Sequence, residues 1–159
     1  MGVVGAGKTT VGTLLAQKLG WQFVDADDFH SPENIEKIRR GIPLDDSDRA
    51  PWLSALRDAI LQWNAKGRNV VLACSALKRS YREELRAALV RFVYLKGSSQ
   101  VILDRLRSRH GHFAKEAILE SQLAALEEPG SGEPDVITVD IDQPPDAIVS
   151  EIIAKLQES

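Results

Sequence analysis

The stretch Gly2-Val3-Val4-Gly5-Ala6-Gly7-Lys8-Thr9 governs the interpretation of the whole chain. It matches the phosphate-binding pattern G-x-x-x-x-G-K-[ST] at every fixed position. The glycines let successive backbone N–H groups point into one concavity that attracts anions, and a helix predicted from Thr10 to Leu19 adds the partial positive charge of its N-terminus. Lys8 is predicted to reach the terminal phosphates of a nucleotide, and the Thr9 hydroxyl is predicted to hold Mg²⁺.

The composition suits one globular domain that spans residues 1–159, with 43% hydrophobic and 27% charged residues. A net charge of −3 provides no basic footprint for nucleic acid. The single cysteine, Cys74, excludes an internal disulfide and fits the reducing cytoplasm without proving it. No apolar run approaches the roughly 18 residues that a membrane span needs. Neither nucleic acid nor a membrane is therefore expected as a partner.

The start of the chain departs from the usual context of the motif. A phosphate loop normally follows a buried strand in the middle of a sheet, and here only Met1 precedes Gly2. Without that first strand its neighbours would lose ladder partners, and unpaired buried backbone groups are costly. We therefore expect a sequence that is truncated at its N-terminus or whose start is misplaced. A protein that tolerates the loss is the alternative.

Alternating β and α elements follow the loop and predict an α/β fold, a parallel sheet with helices on both faces. The predicted strands are 21–24, 69–74, 92–95 and 136–140. Apolar stripes at helical spacing predict the intervening helices, and Ile35 and Ile38 form the predicted apolar face of the second helix. Because ligands in such sheets bind at the carboxyl ends of the strands, we expect the site there.

Acidic residues follow the first of these strands, in the segment Asp25-Ala26-Asp27-Asp28-Phe29-His30. Three carboxylates at a strand end, in a chain with a phosphate loop, predict Mg²⁺ and substrate hydroxyls as their partners. A solvated acidic loop is the alternative, above all for Asp28. His30 fits a capping or packing role as well as it fits a ligand-binding role.

Basic residues in two places predict recognition of an anion. Arg49 lies in the first turn of a predicted helix, where the macrodipole disfavours a cation, which indicates anion recognition or a surface ion pair. Lys78, Arg79 and Arg82 follow the carboxyl end of strand 69–74. They would suit an anionic substrate or a phosphate, or they would form a solvated basic helix face.

A third basic segment, Arg105-Leu106-Arg107-Ser108-Arg109-His110-Gly111-His112-Phe113, predicts a helical lid over approximately residues 107–130, followed by a flexible loop at 131–134. Arg105 and Arg109 are one helical turn apart and would face the same phosphoryl group. Lid cations in small P-loop kinases offset charge on the transferring group, and lid closure excludes water. A solvated basic helix end is the alternative, chiefly for Arg107.

Several pieces of the sequence together carry a family resemblance. They are Asp25-x-Asp27-Asp28-x-His30, Pro32-Glu33-Asn34, Gly41-Ile42-Pro43-Leu44-x-Asp46-x-Asp48-Arg49-x-Pro51-Trp52-Leu53, Cys74-Ser75-Ala76-Leu77-Lys78-x-x-Tyr81-Arg82, Gly111-His112-Phe113, Ser121-Gln122 and Leu126-Glu127. Over nearly its whole length the chain resembles the bacterial-type gluconokinases, small P-loop kinases that phosphorylate D-gluconate on its 6-hydroxyl with ATP and are similar to shikimate kinases. It departs from the family loop at Val4 and Ala6, which replace two serines, and in the missing first strand.

The resemblance implies a P-loop kinase fold with strand order 2-3-1-4-5 and a small helical lid, and it implies a cytoplasmic homodimer that uses ATP, Mg²⁺ and gluconate. The residues implied to bind ATP are Gly2, Gly5, Ala6, Gly7, Lys8, Thr9 and Thr10, with Gln143 and Pro144 near the adenine. Those implied to hold the metal are Thr9 and Asp25. Those implied to bind gluconate are Asp27, His30, Arg49, Lys78, Arg82 and His112. Those implied to act in catalysis are Lys8, Asp27, Arg105 and Arg109.

Three other functions are weighed against this one. A kinase of another small hydroxy acid such as shikimate is the nearest, and the piece Cys74–Lys78 disfavours it. A regulatory GTPase switch would need the tetrapeptides Asn-Lys-x-Asp and Asp-x-x-Gly, and neither occurs in the sequence. A non-catalytic nucleotide-binding protein is the third.

Overall fold

Short parallel strands alternate with helices in the computed structural model, which describes residues 1–108 and 113–158. The strands in this part of the chain are β1 (Gln22–Asp25), β2 (Val70–Ala73), β3 (Phe92–Lys96) and β4 (Val136–Asp140). The helices in the same residues are α1 (Lys8–Leu19), α2 (Pro32–Arg39), α3 (Asp46–Ala65), α4 (Arg79–Leu85), α5 (Ser99–Arg107), α6 (Phe113–Ala125) and α7 (Pro145–Glu158), with a 3₁₀ turn at Ala26–Phe29. None of the described helices combines the length and the hydropathy that crossing a membrane requires.

The strands form two separate parallel pairs. β1 pairs with β2 in the register Phe23↔Val71, and β3 pairs with β4 in the register Tyr94↔Thr138. Within residues 1–108 and 113–158 no strand joins the two pairs. The α/β class is confirmed, while the five-strand order 2-3-1-4-5 is not.

Met1 and Gly2 bond to β3 on one side and to the segment that follows β2 on the other. The Met1 carbonyl accepts the Leu95 N–H at 2.9 Å, and the Met1 nitrogen donates to the Val93 carbonyl at 2.6 Å. On the other side, the Gly2 N–H donates to the Ser75 carbonyl at 3.2 Å. Cavities of about 190 Å³ and 250 Å³, both lined by Met1, flank the space between β2 and β3. The expected truncation or misplaced start stays a prediction.

Two buried apolar clusters hold the helices against the strands. One gathers side chains of α1, α5 and α7 and includes Ile141 and Val149, both 0% exposed. The other packs α3 and α4 around Trp52, Leu56 and Phe92. Full burial of such a side chain contributes about 1.5–3 kcal/mol, so these clusters stabilise the scaffold on which the strand ends are held. Helices cover both faces of the strands, as predicted.

Helix α2 buries the polar side chain of Asn34, which hydrophobic periodicity does not predict to be buried. Ser31 caps the helix and accepts the Asn34 N–H at 3.2 Å, and Pro32 occupies its first turn. Ile35 is 49% exposed, whereas Asn34 is 6% exposed. The prediction that Ile35 belongs to a buried apolar face is wrong. The side of α2 that packs against the rest of the protein carries Asn34, whose side-chain hydrogen bonds hold it there.

Candidate active site

A cavity of about 490 Å³ lies where the phosphate-binding loop meets the carboxyl ends of β1 and β2. This volume is typical of small-ligand sites. The predicted site residues that line it are Gly5, Gly7, Lys8, Thr9, Thr10, Asp25, Asp27, His30 and Arg49. The structure therefore brings the predicted nucleotide loop and part of the predicted substrate site to one cavity.

The loop has the backbone conformation that a phosphate cradle needs. Gly5 and Gly7 have φ angles of +82° and +97°, in the left-handed region that favours glycine. A Cβ at Gly5 would lie 3.0 Å from Leu106 and 3.1 Å from Ile102, so α5 also restricts this position to glycine. Helix α1 begins directly after the loop at Lys8, and its free N–H groups and positive end favour an anion.

The Lys8 ammonium folds back onto this loop. Its Nζ donates to the carbonyl oxygens of Gly2 at 3.0 Å and Val3 at 2.9 Å. Burial lowers the pKa of Lys8, and the carboxylates of Asp27 and Asp25 act in the opposite direction. The two carbonyls hold the cation beside the cavity, where it is available to a bound phosphate.

Two carboxylates mark the end of β1. Asp25 caps the 3₁₀ turn, and its Oδ1 accepts the Asp27 N–H at 2.9 Å. The pKa of Asp27 is raised, first by desolvation at the cavity wall and then by Asp25, while Lys8 opposes the shift. A carboxylate in this setting is suited to orient a hydroxyl and to accept its proton.

The residues of the cavity fit a magnesium ion that takes most of its ligands from phosphate and water. Thr9 and Asp25 both line the cavity and carry the oxygen ligands that Mg²⁺ prefers. Among the described residues, no group of three or more His, Cys, Asp or Glu side chains is arranged to hold a metal. Mg²⁺ at phosphate sites usually keeps several waters and needs only one or two protein ligands, so this sparse set is sufficient.

Arg49 is a nearly buried cation in the cavity wall, with 9% of its surface exposed. Its Nη1 donates to the Tyr81 hydroxyl at 3.3 Å, and its guanidinium lies 5.5 Å from the centroid of the same ring. No carboxylate forms an ion pair with Arg49 among the side chains that the structure describes. This burial excludes the surface ion pair. Arg49 helps to lower the pKa of Asp46, but Tyr81 lies between them and no direct ion pair forms, so the buried charge favours an anionic ligand.

Lys78 lies outside the residues that line the cavity and already has an anionic partner. Its Nζ is 3.0 Å from Asp46 Oδ1, and this bond is the largest cause of a raised Lys78 pKa. The Tyr81 hydroxyl donates to the same carboxylate. Lys78 thus supports the Tyr81 side chain on which Arg49 packs, and its direct role in substrate binding stays a prediction.

Arg82 is a structural residue, and the prediction that it binds substrate is wrong. It is 0% exposed and forms a buried ion pair with Glu133 at 2.7 Å. Its remaining hydrogen bonds are accepted by the second carboxylate oxygen of Glu133 and by the backbone carbonyls of Ala76, Leu77 and Glu127. Because a guanidinium has five N–H donors and these bonds use all of them, none is left for a gluconate carboxylate.

Two further groups of predicted residues, the lid cations and the segment implied to lie near the adenine, are absent from the cavity lining or fall outside the described residues. Arg105 Nη2 donates to the Ile141 carbonyl at 2.6 Å, and a Cβ on Gly7 would lie 3.9 Å from Arg105 Nη1. Gln143, beside Pro144, donates to the Asp140 carbonyl and to Glu151, both at 2.8 Å. Arg109 and His112 fall outside the described residues, so their predicted roles stay predictions.

The predicted lid contributes cavity residues to which sequence reasoning gave no role. They are Lys115, Ile118, Ser121 and Gln122 of helix α6. Gln122 Oε1 accepts the Val4 N–H at 2.7 Å, so a lid side chain is bonded directly to the phosphate-binding loop. The pair Ser121-Gln122 was part of the family resemblance, which was the available signal for this contact.

Comparisons with known proteins agree with this geometry. The shikimate kinase family model matches residues 4–157. A gluconokinase of Gluconobacter oxydans is 48% identical over 159 residues, which cover 99% of this chain and 89% of the relative. The thermoresistant gluconokinase of Escherichia coli is 44% identical over 160 residues, with 99% and 91% covered.

A solved structure shows the same likeness in three dimensions. The crystal structure of a gluconokinase from Sinorhizobium meliloti superposes with a TM-score of 0.88 at 44% identity, covering 99% of this chain and 89% of that one. The P-loop kinase fold is therefore established for the chain as a whole. By sequence and by structure, the chain belongs to the shikimate kinase family and, within it, to the gluconokinases.

Proposed function

We propose that this protein transfers the γ-phosphoryl group of ATP to the 6-hydroxyl of D-gluconate and releases 6-phospho-D-gluconate. The observation that carries the proposal is the unpaired, nearly buried Arg49 in the same cavity as the phosphate-binding loop. An anionic acceptor would supply a directly bonded counter-charge for Arg49, beside the place where a nucleotide tail would bind. The gluconokinase relatives support gluconate as that anion.

The nucleotide would be held by the loop and its flanking residues. Backbone N–H groups of the loop and the start of α1 would bind the phosphates, with Lys8 beside them. Thr9 and Asp25 would hold Mg²⁺, which supplies charge neutralisation between the phosphates when it is bound. Arg105, which bonds to the segment after β4 and whose Nη1 would lie 3.9 Å from a Cβ on Gly7, would stabilise negative charge near the terminal phosphate.

The acceptor would be positioned by side chains on the opposite part of the cavity wall. Arg49 would bind the gluconate carboxylate, and Asp27 would orient the attacking hydroxyl and accept its proton late in the transfer. Phosphoryl transfer has a loose transition state, so positioning and charge stabilisation account for most of the catalysis. We propose that the enzyme acts in the cytoplasm, and the expected homodimer stays a prediction.

A substrate panel tests the proposed reaction. With Mg²⁺-ATP, an assay that couples ADP release to a chromogenic reaction is expected to show high turnover with gluconate. Shikimate and other small hydroxy acids are expected to give little turnover, since the relatives at 44–48% identity are gluconokinases. Transfer to shikimate but not to gluconate would contradict the proposed substrate. Binding of Mg²⁺-ATP without transfer to any acid would favour a non-catalytic nucleotide-binding protein.

Substitution of Arg49 separates the acceptor from the nucleotide. Arg49→Ala is expected to raise KM for gluconate about 10- to 100-fold, the worth of a hydrogen-bonded contact to a charged group, and to leave KM for ATP nearly unchanged. Arg57→Ala is the matched control, because Arg57 lies on the same helix and its exposed guanidinium donates to the Glu84 carbonyl. Equal changes in KM for gluconate and KM for ATP would show that Arg49 does not bind the acceptor.

A further inference from the structure

His30 is a cavity residue whose ring is fixed by packing. Its side chain is only 4% exposed, and the ring stacks on Trp52 with centroids 4.4 Å apart and an interplanar angle of 12°. Both residues line the cavity. The ring Nε2 lies 3.9 Å from Asp27 Oδ1, so one ring nitrogen is turned toward the proposed catalytic carboxylate.

Asn34 lies behind the other ring nitrogen. Its Nδ2 donates to the backbone carbonyl of Asp48 at 2.8 Å and lies 3.3 Å from His30 Nδ1. A carbonyl oxygen can only accept a hydrogen bond, so the contact with Asp48 fixes which end of the Asn34 amide points inward. The NH₂ group of Asn34 therefore faces His30 Nδ1. One of its hydrogens is donated to the Asp48 carbonyl and the other to Nδ1, so Nδ1 acts as a hydrogen-bond acceptor.

The His30 ring is neutral near pH 7, so its two nitrogens share a single proton. Burial lowers the pKa of His30 to about 4, and the nearby Arg49 adds to the shift, whereas Asp25 opposes it. A neutral imidazole carries one proton. Since Nδ1 accepts from Asn34, that proton lies on Nε2, the nitrogen that faces Asp27.

We propose that Asn34 is a positioning residue that locks His30 in the Nε2–H tautomer, so that His30 points an N–H group toward the Asp27 carboxylate, 3.9 Å away, and can donate it to an oxygen of the bound acceptor. The part of this inference that concerns the acceptor rests on the proposed function. A lone pair on Nε2 is absent in this tautomer, so His30 does not serve as the base. Asp27 then accepts the proton of the attacking hydroxyl, while the Nε2–H group, too far from Asp27 for a direct hydrogen bond, orients the acceptor.

Nuclear magnetic resonance of the ring nitrogens tests the tautomer directly. The chain has three histidines, so ¹⁵N-histidine labelling gives a simple spectrum, and His30→Gln identifies the His30 signals by their loss. At neutral pH we expect a protonated Nε2 and an unprotonated Nδ1. A proton on Nδ1 of the wild-type ring, in either the neutral or the charged form, would overturn the proposal.

The variant Asn34→Asp supplies the decisive comparison, because a carboxylate accepts where the amide donates. We expect a proton to appear on Nδ1, with or without the proton on Nε2. If this variant does not fold, Asn34→Ala removes the donor, and we expect a mixture of the two tautomers. A pure Nε2–H ring in the folded variant would show that Asn34 does not set the tautomer. Glu33→Gln, one residue earlier on α2, is the control with an unchanged spectrum.

The catalytic consequence is read from two replacements of His30. The amide nitrogen of glutamine lies near the position of Nε2 and that of asparagine near Nδ1, so His30→Gln is expected to retain more activity than His30→Asn. We expect Asn34→Asp and His30→Asn to lower kcat/KM for gluconate about 10- to 100-fold, with little change in KM for ATP. Equal losses in His30→Gln and His30→Asn would overturn the donor role. Absence of gluconate phosphorylation in the wild type would instead refute the proposed function and leave the tautomer measurement valid.

Discussion

Replacement of Lys8 by alanine is expected to lower kcat for phosphoryl transfer by about a thousandfold, the effect of removing a preorganised charge from a transition state. The Lys8 ammonium donates hydrogen bonds to the carbonyls of Gly2 and Val3 in the phosphate-binding loop. The loop, residues 2–9, contains no other lysine. Loss of Lys8 would remove the cation that offsets charge on the terminal phosphates. The ADP-coupled assay with saturating gluconate measures this change.

The control for this variant is Lys18→Ala, the same substitution in the last turn of the same helix. Lys18 has a side chain that is 41% exposed and forms only a long surface contact of 3.7 Å with Asp146. It is expected to keep normal turnover. Thermal unfolding of both variants checks that the loop is still folded. Near-normal kcat in Lys8→Ala would reject the role of Lys8 in catalysis.

Replacement of Arg82 by methionine is expected to lower the free energy of unfolding by about 3–5 kcal/mol, because it removes the shortest ion pair of the buried Glu133 carboxylate and the donor to three backbone carbonyls. Glu133 would keep only the longer contacts with Arg86 at 3.2 Å and Arg79 at 4.0 Å among the described residues. Both members of the Arg82–Glu133 pair are at most 5% exposed, and the pair joins α4 to the segment that precedes β4. Urea unfolding measures the change. A substrate-binding Arg82 would instead raise KM for gluconate at unchanged stability, and that result would restore the role that we reject.

Two further variants test the physical explanation of this loss. Arg79→Met removes a half-exposed cation from the same helix, which lies 3.2 Å from Glu83 and only at the longer distance of 4.0 Å from Glu133. It is expected to cost about 0–1 kcal/mol, as surface ion pairs do. The double variant Arg82→Met with Glu133→Leu is expected to recover much of the stability, since an apolar pair of similar volume leaves no buried charge. No recovery in the double variant would show that the loss has another origin.

The same ion pair predicts how stability depends on pH. Arg82 is the largest cause of a Glu133 pKa below its ordinary value. A lowered folded-state pKa means that the stabilisation is fully present above the ordinary glutamate pKa of about 4.3 and is lost as the pH falls through the lowered value. The acid limb of the stability curve should therefore become shallower in Arg82→Met. An unchanged limb would contradict this linkage.

Local sequence patterns were sufficient for the elements that depend on near neighbours. The phosphate-binding loop and α1 follow from glycines that adopt positive φ angles and from the helix that they precede. The cap of α3 follows in the same way, because Asp45 and Asp48 bond to each other's backbone N–H groups across one turn. The alternation of these elements predicted the α/β class, and two of the three aspartates expected at the site, Asp25 and Asp27, line the cavity.

Long-range partners explain the predictions that were wrong. Arg82 and Glu133 are 51 residues apart, and the segment 131–134 was interpreted as a flexible loop because nothing local shows that Glu133 is buried. No local pattern predicts that Asn34 is buried, because its hydrogen-bond partner Asp48 lies 14 residues away. That bond turns the Asn34 side of α2 inward. The contact of Gln122 with Val4 spans 118 residues.

The sequence by itself determined the nucleotide loop, the order of strands and helices, and the family, because these depend on backbone conformation and on residues that are close along the chain. Only the tertiary structure decided which charges face the cavity. Arg49 and Arg82 have the same chemistry, but the five N–H groups of Arg82 bond to the buried Glu133 carboxylate and to three backbone carbonyls, whereas the Arg49 guanidinium donates to the Tyr81 hydroxyl. The energy of a buried charge depends on its partners in space, and the fold alone brings those partners together.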